Sequence, residues 1–212
     1  MLNRKIFSNR KDAGQKLAEK LRQYKNAIVF GIPRGGIEIA YYVAKQLESE
    51  LSVLISKKIP HPQNEDYAIG AIAEEGVIYV PDYVNFSMHI FDPFIEDLGK
   101  EIESRINLYR NGKPLPNITN CTVLLIDDGI ATGATLIPAI RLCRQKGARK
   151  IIVTAPVSSQ ELDPALNEAD EIVILEKQEP FFGVAQAYQD FNQLTDNEVI
   201  NFLNAQEIHN NY

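Results

Sequence analysis

Four short runs of apolar, largely β-branched residues constrain this chain more than any other feature: residues 27–30, 122–126, 150–154 and 171–175. A strand that is apolar on both faces needs helices above and below it, and in water-soluble folds that marks a parallel sheet. Residues 51–55 are a fifth, weaker run. Helical patterns lie between the runs at residues 38–47, 136–146 and 161–169, and an early one at 12–24 carries Leu17 and Leu21 one turn apart. Strand and helix alternate, so the expected fold class is α/β: a sheet of about five parallel strands, built from right-handed βαβ units and flanked by helices.

Helix ends sharpen this reading. Gly147 follows a last turn containing Arg144 and Lys146, as a left-handed C-cap and the helix dipole favour. Ser158 with Glu161, and Thr195 with Glu198, have capping-box spacing and are expected to open two further helices. One stretch breaks the alternation: Pro81, Pro93, Pro114 and Pro116 bracket a charged helical pattern at 95–109. Residues 81–117 therefore read as an insertion within a single domain spanning the 212 residues. A hood or lid over a ligand crevice fits such an insertion, and so does a plain helical excursion on the surface.

Composition excludes several classes. At 45% hydrophobic and 24% charged residues, the chain can bury a full core without disulfides or structural metal. Lys and Arg total 22 against 28 Asp and Glu, a net charge of -6, so a general attraction to DNA or RNA is not expected and any phosphate must be held locally. Cys121 and Cys143 form neither a CxxC pair nor a His/Cys cluster. No signal-peptide stretch opens the sequence and no run approaches the ~18 apolar residues of a membrane span, so the expected location is the cytoplasm. The Asn-x-Ser/Thr triplets at Asn85, Asn117 and Asn120 are then chance matches.

The chemistry concentrates in residues 123–135. A buried strand, Val123-Leu124-Leu125-Ile126, delivers Asp127 and Asp128 to its tip, and the loop Gly129-Ile130-Ala131-Thr132-Gly133-Ala134-Thr135 then enters a helix. A small-residue loop at a helix N-terminus exposes backbone N–H groups to an anion, and the Thr132 and Thr135 hydroxyls add donors. Two carboxylates cannot sit on the phosphate itself. Their partners are hydroxyls beside it or a magnesium ion, and a phosphate near a diol describes a sugar phosphate. Gly31-Ile32-Pro33-Arg34-Gly35-Gly36 follows the first strand, where a glycine pair and an arginine could wrap an anion or simply make a turn. Lys57 and Lys58 are expected to end the second strand, followed at 59–67 by a polar, Pro-rich loop of the mobile kind that contains His61.

Residues 123–135 resemble the phosphoribosyl-pyrophosphate (PRPP) signature of type I phosphoribosyltransferases: a hydrophobic strand, two acids, then a T-G-x-T loop. Further matches run over nearly the whole chain: Asp12-Ala13-Gly14 with Leu17-Ala18, residues 68–74, Glu179-Pro180-Phe181-Phe182 and Tyr188-Gln189-Asp190-Phe191. The resemblance implies that Asp127 and Asp128 are the catalytic carboxylates, holding the ribose 2- and 3-hydroxyls with a metal contact through water. It implies that Ala131, Thr132, Gly133, Ala134 and Thr135 hold the 5-phosphate. Arg34, Gly35 and Gly36, in a loop that often carries a cis peptide, with Lys57 or Lys58, would hold pyrophosphate. The implied cofactor is Mg2+ carried by PRPP, and the implied acceptor is a nitrogenous base seated under the 81–117 insertion. Homodimers are common in the family.

One departure bears on the base. Enzymes for 6-oxopurines place an aspartate in the phosphate loop where this chain has Ala131, which speaks against hypoxanthine and guanine. Glu74 and Glu75 are the substitutes at hand, or an exposed pair, and the aromatics Phe181, Phe182 and Phe191 read as core. Two readings compete with transfer: a PRPP- or nucleotide-binding regulator that has lost turnover, and a hydrolase acting on PRPP or nucleotides.

Overall fold

The computed structural model describes residues 5–61, 64–82, 84 and 92–209. In chain order these form α1 (Arg10–Lys20), β1 (Ile28–Gly31), α2 (Gly35–Leu47), β2 (Glu50–Val53), β3 (Ser56–His61), β4 (Asn64–Ala73), β5 (Ile78–Tyr79), α3 (Asp92–Arg110), β6 (Thr122–Ile126), α4 (Leu136–Gln145), β7 (Lys150–Ser159), β8 (Glu171–Gln178) and α5 (Asp196–His209). A five-stranded sheet has the order β2-β1-β6-β7-β8, with every pair parallel. The expected α/β class with a parallel five-stranded sheet is therefore what the chain forms.

Each apolar run is split between two cores by strand alternation. Val29, Leu124 and Ile152 lie in register and pack on α1 and α2 with Leu17, Leu21, Val43 and Leu47. Their neighbours Phe30, Leu125 and Val153 point the other way, onto Leu136, Ile140 and Cys143 of α4. All six strand side chains are fully buried, and each contributes roughly 1.5–3 kcal/mol of burial. α1 starts where Asn9 accepts a hydrogen bond from Asp12 N at 2.9 Å, while Asp12 Oδ2 accepts from Ser8 N at 3.0 Å. α4 ends at Gly147, whose φ of +80° gives the left-handed turn its position called for.

Three expectations are corrected. Lys57 and Lys58 do not end the second strand: β2 stops at Val53, and the lysines open β3, the first strand of a separate antiparallel sheet β3-β4-β5. Most of the expected mobile loop at 59–67 is thus strand, with His61 paired to Asn64 across the β3–β4 ladder; Pro62 and Gln63 lie outside the described residues. The helix at 161–169 is reduced to a 3-10 turn, Pro164–Glu168, capped by Asp163; Ser158, its expected cap, is buried within β7. The Thr195–Glu198 capping box does form, with Thr195 N donating to Glu198 Oε2 at 2.8 Å and Glu198 N to Thr195 Oγ1 at 3.3 Å.

Within the 81–117 insertion residues 92–110 form α3, while the described residues 81, 82, 84 and 111–117 are turn or irregular; residues 83 and 85–91, including Asn85, lie outside the described residues. A third core joins it to the small sheet: Ile59, Ile69 and Ile72 of β3 and β4 pack with Ile102 and Tyr109 of α3 and Val199 of α5. No helix of the described residues is long and apolar enough to cross a membrane.

Candidate functional site

β1 connects through α2 to β2 on one side of the sheet, whereas β6 leads to β7 and β8 on the other. The order reverses between β1 and β6, and the crevice beyond the strand ends at such a point is where open α/β sheets bind ligands. Both glycine-rich segments sit there. Ile32 N donates to Ile126 O at 2.8 Å and Asp127 N to Thr154 O at 3.2 Å, so the ladder carries both loops out together. The loops also touch: a Cβ on Gly36 would lie 2.6 Å from Ile126 O, and one on Gly35 would fall on the Asp128 carboxylate. These two glycines exist for that approach. The Pro33–Arg34 peptide bond is cis.

The loop between β6 and α4 is tacked down from both sides. Ile130 N donates to Val157 O and Ser159 N to Ile130 O, both at 2.9 Å, which ties it to β7. Asp163 N donates to Thr132 O at 2.9 Å from the following 3-10 turn. Gly133 adopts a φ of +89°, and a Cβ there would come within 2.8 Å of Leu166 Cγ. Ala131 and Thr132 are exposed, Ala134 and Thr135 half-buried. Thr135, the N-cap of α4, makes no side-chain capping bond, and uncapped N–H groups at a helix start are the chemistry that receives an anion.

Asp127 and Asp128 stand between these loops in different states. Asp127 accepts from Asp128 N at 2.8 Å, and no ion pair reaches it among the described residues. Burial first, then the charge of Asp128, push its carboxyl well above the usual carboxylate range; Lys58 pulls the other way. Asp128 is anchored. Its Oδ2 accepts from Arg10 Nε at 2.9 Å and pairs with Arg10 Nη2 at 2.8 Å, and its carbonyl accepts from Tyr188 Oη at 2.6 Å. Arg10 in turn donates to Asn192 O at 2.6 Å and lies 4.0 Å over the Phe191 ring. Sequence reasoning missed Arg10 and Tyr188. One signal was available: a cation in the first turn of a helix opposes the dipole, so a buried Arg10 beside its N-cap asks for an outside anion.

Strand alternation separates the two lysines. Lys57 faces α3, ion-paired with Glu101, and lines a small cavity with Arg34; Lys58 is exposed and acts on Asp127. Glu74 is neither an exposed acid nor a free one. It is 2% exposed, accepts Ile55 N at 2.8 Å, and takes both Nη atoms of Arg110 at 2.9 and 2.5 Å. Glu75 reaches Lys146 at 2.6 Å. Of the aromatics read as core, Phe191 packs under Arg10 and Phe181 is partly buried, but Phe182 stands 79% exposed, so that expectation is corrected. Cys121 and Cys143 are free thiols, and burial pushes Cys143 up to about 12.

A parallel sheet with two glycine-containing loops, an arginine and two acids at its switch point defines an α/β domain of the open, switch-point kind. The chain belongs to the phosphoribosyltransferase family: the model of the phosphoribosyl transferase domain matches residues 4–189. A Mycobacterium tuberculosis protein, provisionally named a phosphoribosyl transferase, is 36% identical over 206 residues, 94% of this chain and 46% of its own. A Methanosphaera stadtmanae transcriptional regulator, GfcR, is 30% identical over 139 residues, 66% of this chain and 49% of its own. The chain thus spans about half the length of these relatives. The crystal structure of TT1426 from Thermus thermophilus superposes with a TM-score of 0.80 at 32% identity, covering 93% of this chain and 97% of that one.

Proposed function

We propose that this protein transfers the phosphoribosyl group of Mg-bound PRPP to a nitrogen nucleophile. A C1–N bond forms as the C1–O bond breaks, the electron pair leaves with pyrophosphate, and the nitrogen gives up its proton. The observation that carries the reading is the meeting, beyond one sheet switch point, of the loop before α4, the buried Asp127 carboxyl with no ion pair among the described residues, and Arg34 of the β1–α2 loop with Lys57 of β3 beside it. Ala131 to Thr135 hold the 5-phosphate through backbone N–H groups and threonine hydroxyls. Asp127 and the oxygen of Asp128 not taken by Arg10 accept the ribose hydroxyls. Arg34, Gly35, Gly36 and Lys57 receive pyrophosphate, and α3 stands as a hood on the acceptor side. The transition state carries oxocarbenium character, so the protein's contribution is positioning and fixed charge.

The donor chemistry fits Mg2+ that arrives with its substrate. Among the described residues no three His, Cys, Asp or Glu side chains converge on one point, and magnesium is commonly bound through one or two carboxylates plus substrate phosphates. Asp127 and Asp128 are that pair, and the ion would neutralise pyrophosphate oxygens as charge builds on them. The test is calorimetric titration with PRPP, with and without magnesium, on the wild type and Asp127→Asn, followed by a screen of bases for pyrophosphate release. Magnesium-dependent binding lost in Asp127→Asn is expected. A folded wild type that ignores millimolar PRPP sinks the assignment.

The likeness to a transcriptional regulator supports a second reading, a PRPP or nucleotide sensor built on the same site. PRPP binding without pyrophosphate release across the base screen would select it.

A further inference from the structure

Beside the β1–α2 loop lies a cavity of about 120 Å³, lined by Pro33, Arg34, Ile55, Ser56, Lys57 and Arg105. That is about four water volumes at ~30 Å³ each, room for a tetrahedral oxyanion and too little for a purine ring. Three of its six lining side chains are cations, contributed by the β1–α2 loop, β3 and α3. Burial and the charge of Arg105 hold the Lys57 ammonium below its ordinary range, as expected where cations converge.

Two carboxylates at the rim balance this charge. Glu101 pairs with Lys57, and Asp196 at the start of α5 lies 3.9 Å from Arg34 and 3.6 Å from Arg105. The Asp196 distances are too long for hydrogen bonds. The carboxylates are also the more exposed partners: Glu101 and Asp196 are 56% and 43% exposed, against 23% for Lys57 and 30% for each arginine. Among the described residues Arg105 donates one hydrogen bond, to Tyr109 Oη at 2.9 Å, out of five N–H donors, and Tyr109 Oη in turn donates to Asp196 Oδ1.

We propose that Arg105 is a pyrophosphate-binding residue supplied by α3, and that Glu101 and Asp196 are resident counter-ions which the incoming anion displaces. The inference rests on the phosphoribosyltransferase reading for the identity of the anion. Neither glycine-rich motif contains Arg105; the fold alone brings it to Arg34. The exchange suits the charge balance: a doubly charged phosphoryl group replaces the charges of two carboxylates on the exposed rim.

The experiment is titration of the full chain with magnesium pyrophosphate at several salt concentrations, for the wild type, Arg105→Gln, Arg105→Lys, Tyr109→Phe and Glu101→Gln. Arg105→Gln is expected to bind about tenfold more weakly with a shallower salt dependence. Arg105→Lys should recover much of the loss, and Glu101→Gln should bind two- to threefold more tightly, because a competitor is gone. Tyr109→Phe, which cuts the Arg105–Tyr109–Asp196 chain without changing charge, should bind as the wild type does. Wild-type affinity in Arg105→Gln overturns the proposal, as does an equal loss in Tyr109→Phe or no pyrophosphate binding by the wild type. Arg105-dependent pyrophosphate binding in a protein that ignores PRPP would uphold the pocket and remove the transferase reading instead.

Discussion

Two ion-paired regions flank the crevice, and they differ in what holds them. On one side Arg10 and Asp128 are 7% and 15% exposed, with Arg10 also bound to Asn192 O and stacked on Phe191. On the other, Arg34 and Arg105 share Asp196 at 3.9 and 3.6 Å with all three groups at least 30% exposed. Residue types are the same, so burial and the number of bonds decide the role. A buried, multiply bonded pair cannot separate without stranding a charge, and it fixes the loop that carries it. A loose pair in solvent contributes little and can be exchanged for a ligand. Asp128 therefore belongs to the framework, and under the proposed function its Asn variant would disturb that framework as well as ligand binding.

The buried class gives the largest expected effect. Arg110→Met leaves Glu74 charged at 2% exposure with Ile55 N as its remaining partner. Breaking such a pair from one side costs about 3–5 kcal/mol. Urea denaturation should show a lower midpoint at an unchanged m-value. A loss under about 1 kcal/mol would break the comparison, because burial would then not distinguish the two kinds of pair.

Asp127→Asn comes next and has the opposite sign. The Asp127 carboxyl is raised by burial and by Asp128, so the folded protein holds this proton more tightly than the unfolded chain. That contribution is fully present below the ordinary carboxylate range and is lost as pH rises through the raised titration. Toward neutral pH the raised titration destabilises the fold relative to acid, and the amide should raise Tm there, with the gain shrinking in acid. Thermal melts at pH 4 and pH 8 check this. Equal Tm values at pH 8 would mean that Asp127 already has a compensating partner. A gain in stability together with loss of PRPP binding is the mark of a group kept for its ligand.

How far these regions were legible follows from where their constraints lie. The parallel sheet was visible because runs such as Val29-Phe30 and Leu124-Leu125 feed two cores at once, leaving an apolar signature on both faces. The glycine-bearing loop before α4 was visible because Gly133, at φ +89°, and the acids before it are local requirements of one loop. The β3–β4 hairpin was not: Lys57 and Lys58 read as the end of the second strand and residues 59–67 as a polar loop, and the hairpin exists because Ile59, Ile69 and Ile72 find Ile102 and Val199 from distant segments. The helix at 161–169 was overcalled because Leu166 alone is buried there, too little to hold a short helix started by Pro164. Arg105 gave no signal at all. A charged helix face looks solvated until the fold brings another loop to it.

The smallest expected effect sharpens the comparison from the other end. Arg141 and Glu168 form a bidentate pair at 2.9 and 2.7 Å, 37% and 38% exposed, beside a second cavity that reaches Thr132. Its geometry is better than that of Arg34 with Asp196, but its exposure is similar, so Glu168→Gln should cost at most about 1 kcal/mol and less in high salt. It should also leave pyrophosphate affinity unchanged, since the freed Arg141 lies on α4, where among the described residues no second cation lines the cavity. If Glu168→Gln tightened pyrophosphate as Glu101→Gln is expected to, any released surface cation would suffice. If it does not, the exchangeable pairs on α3 matter because three elements aim cations into one small cavity.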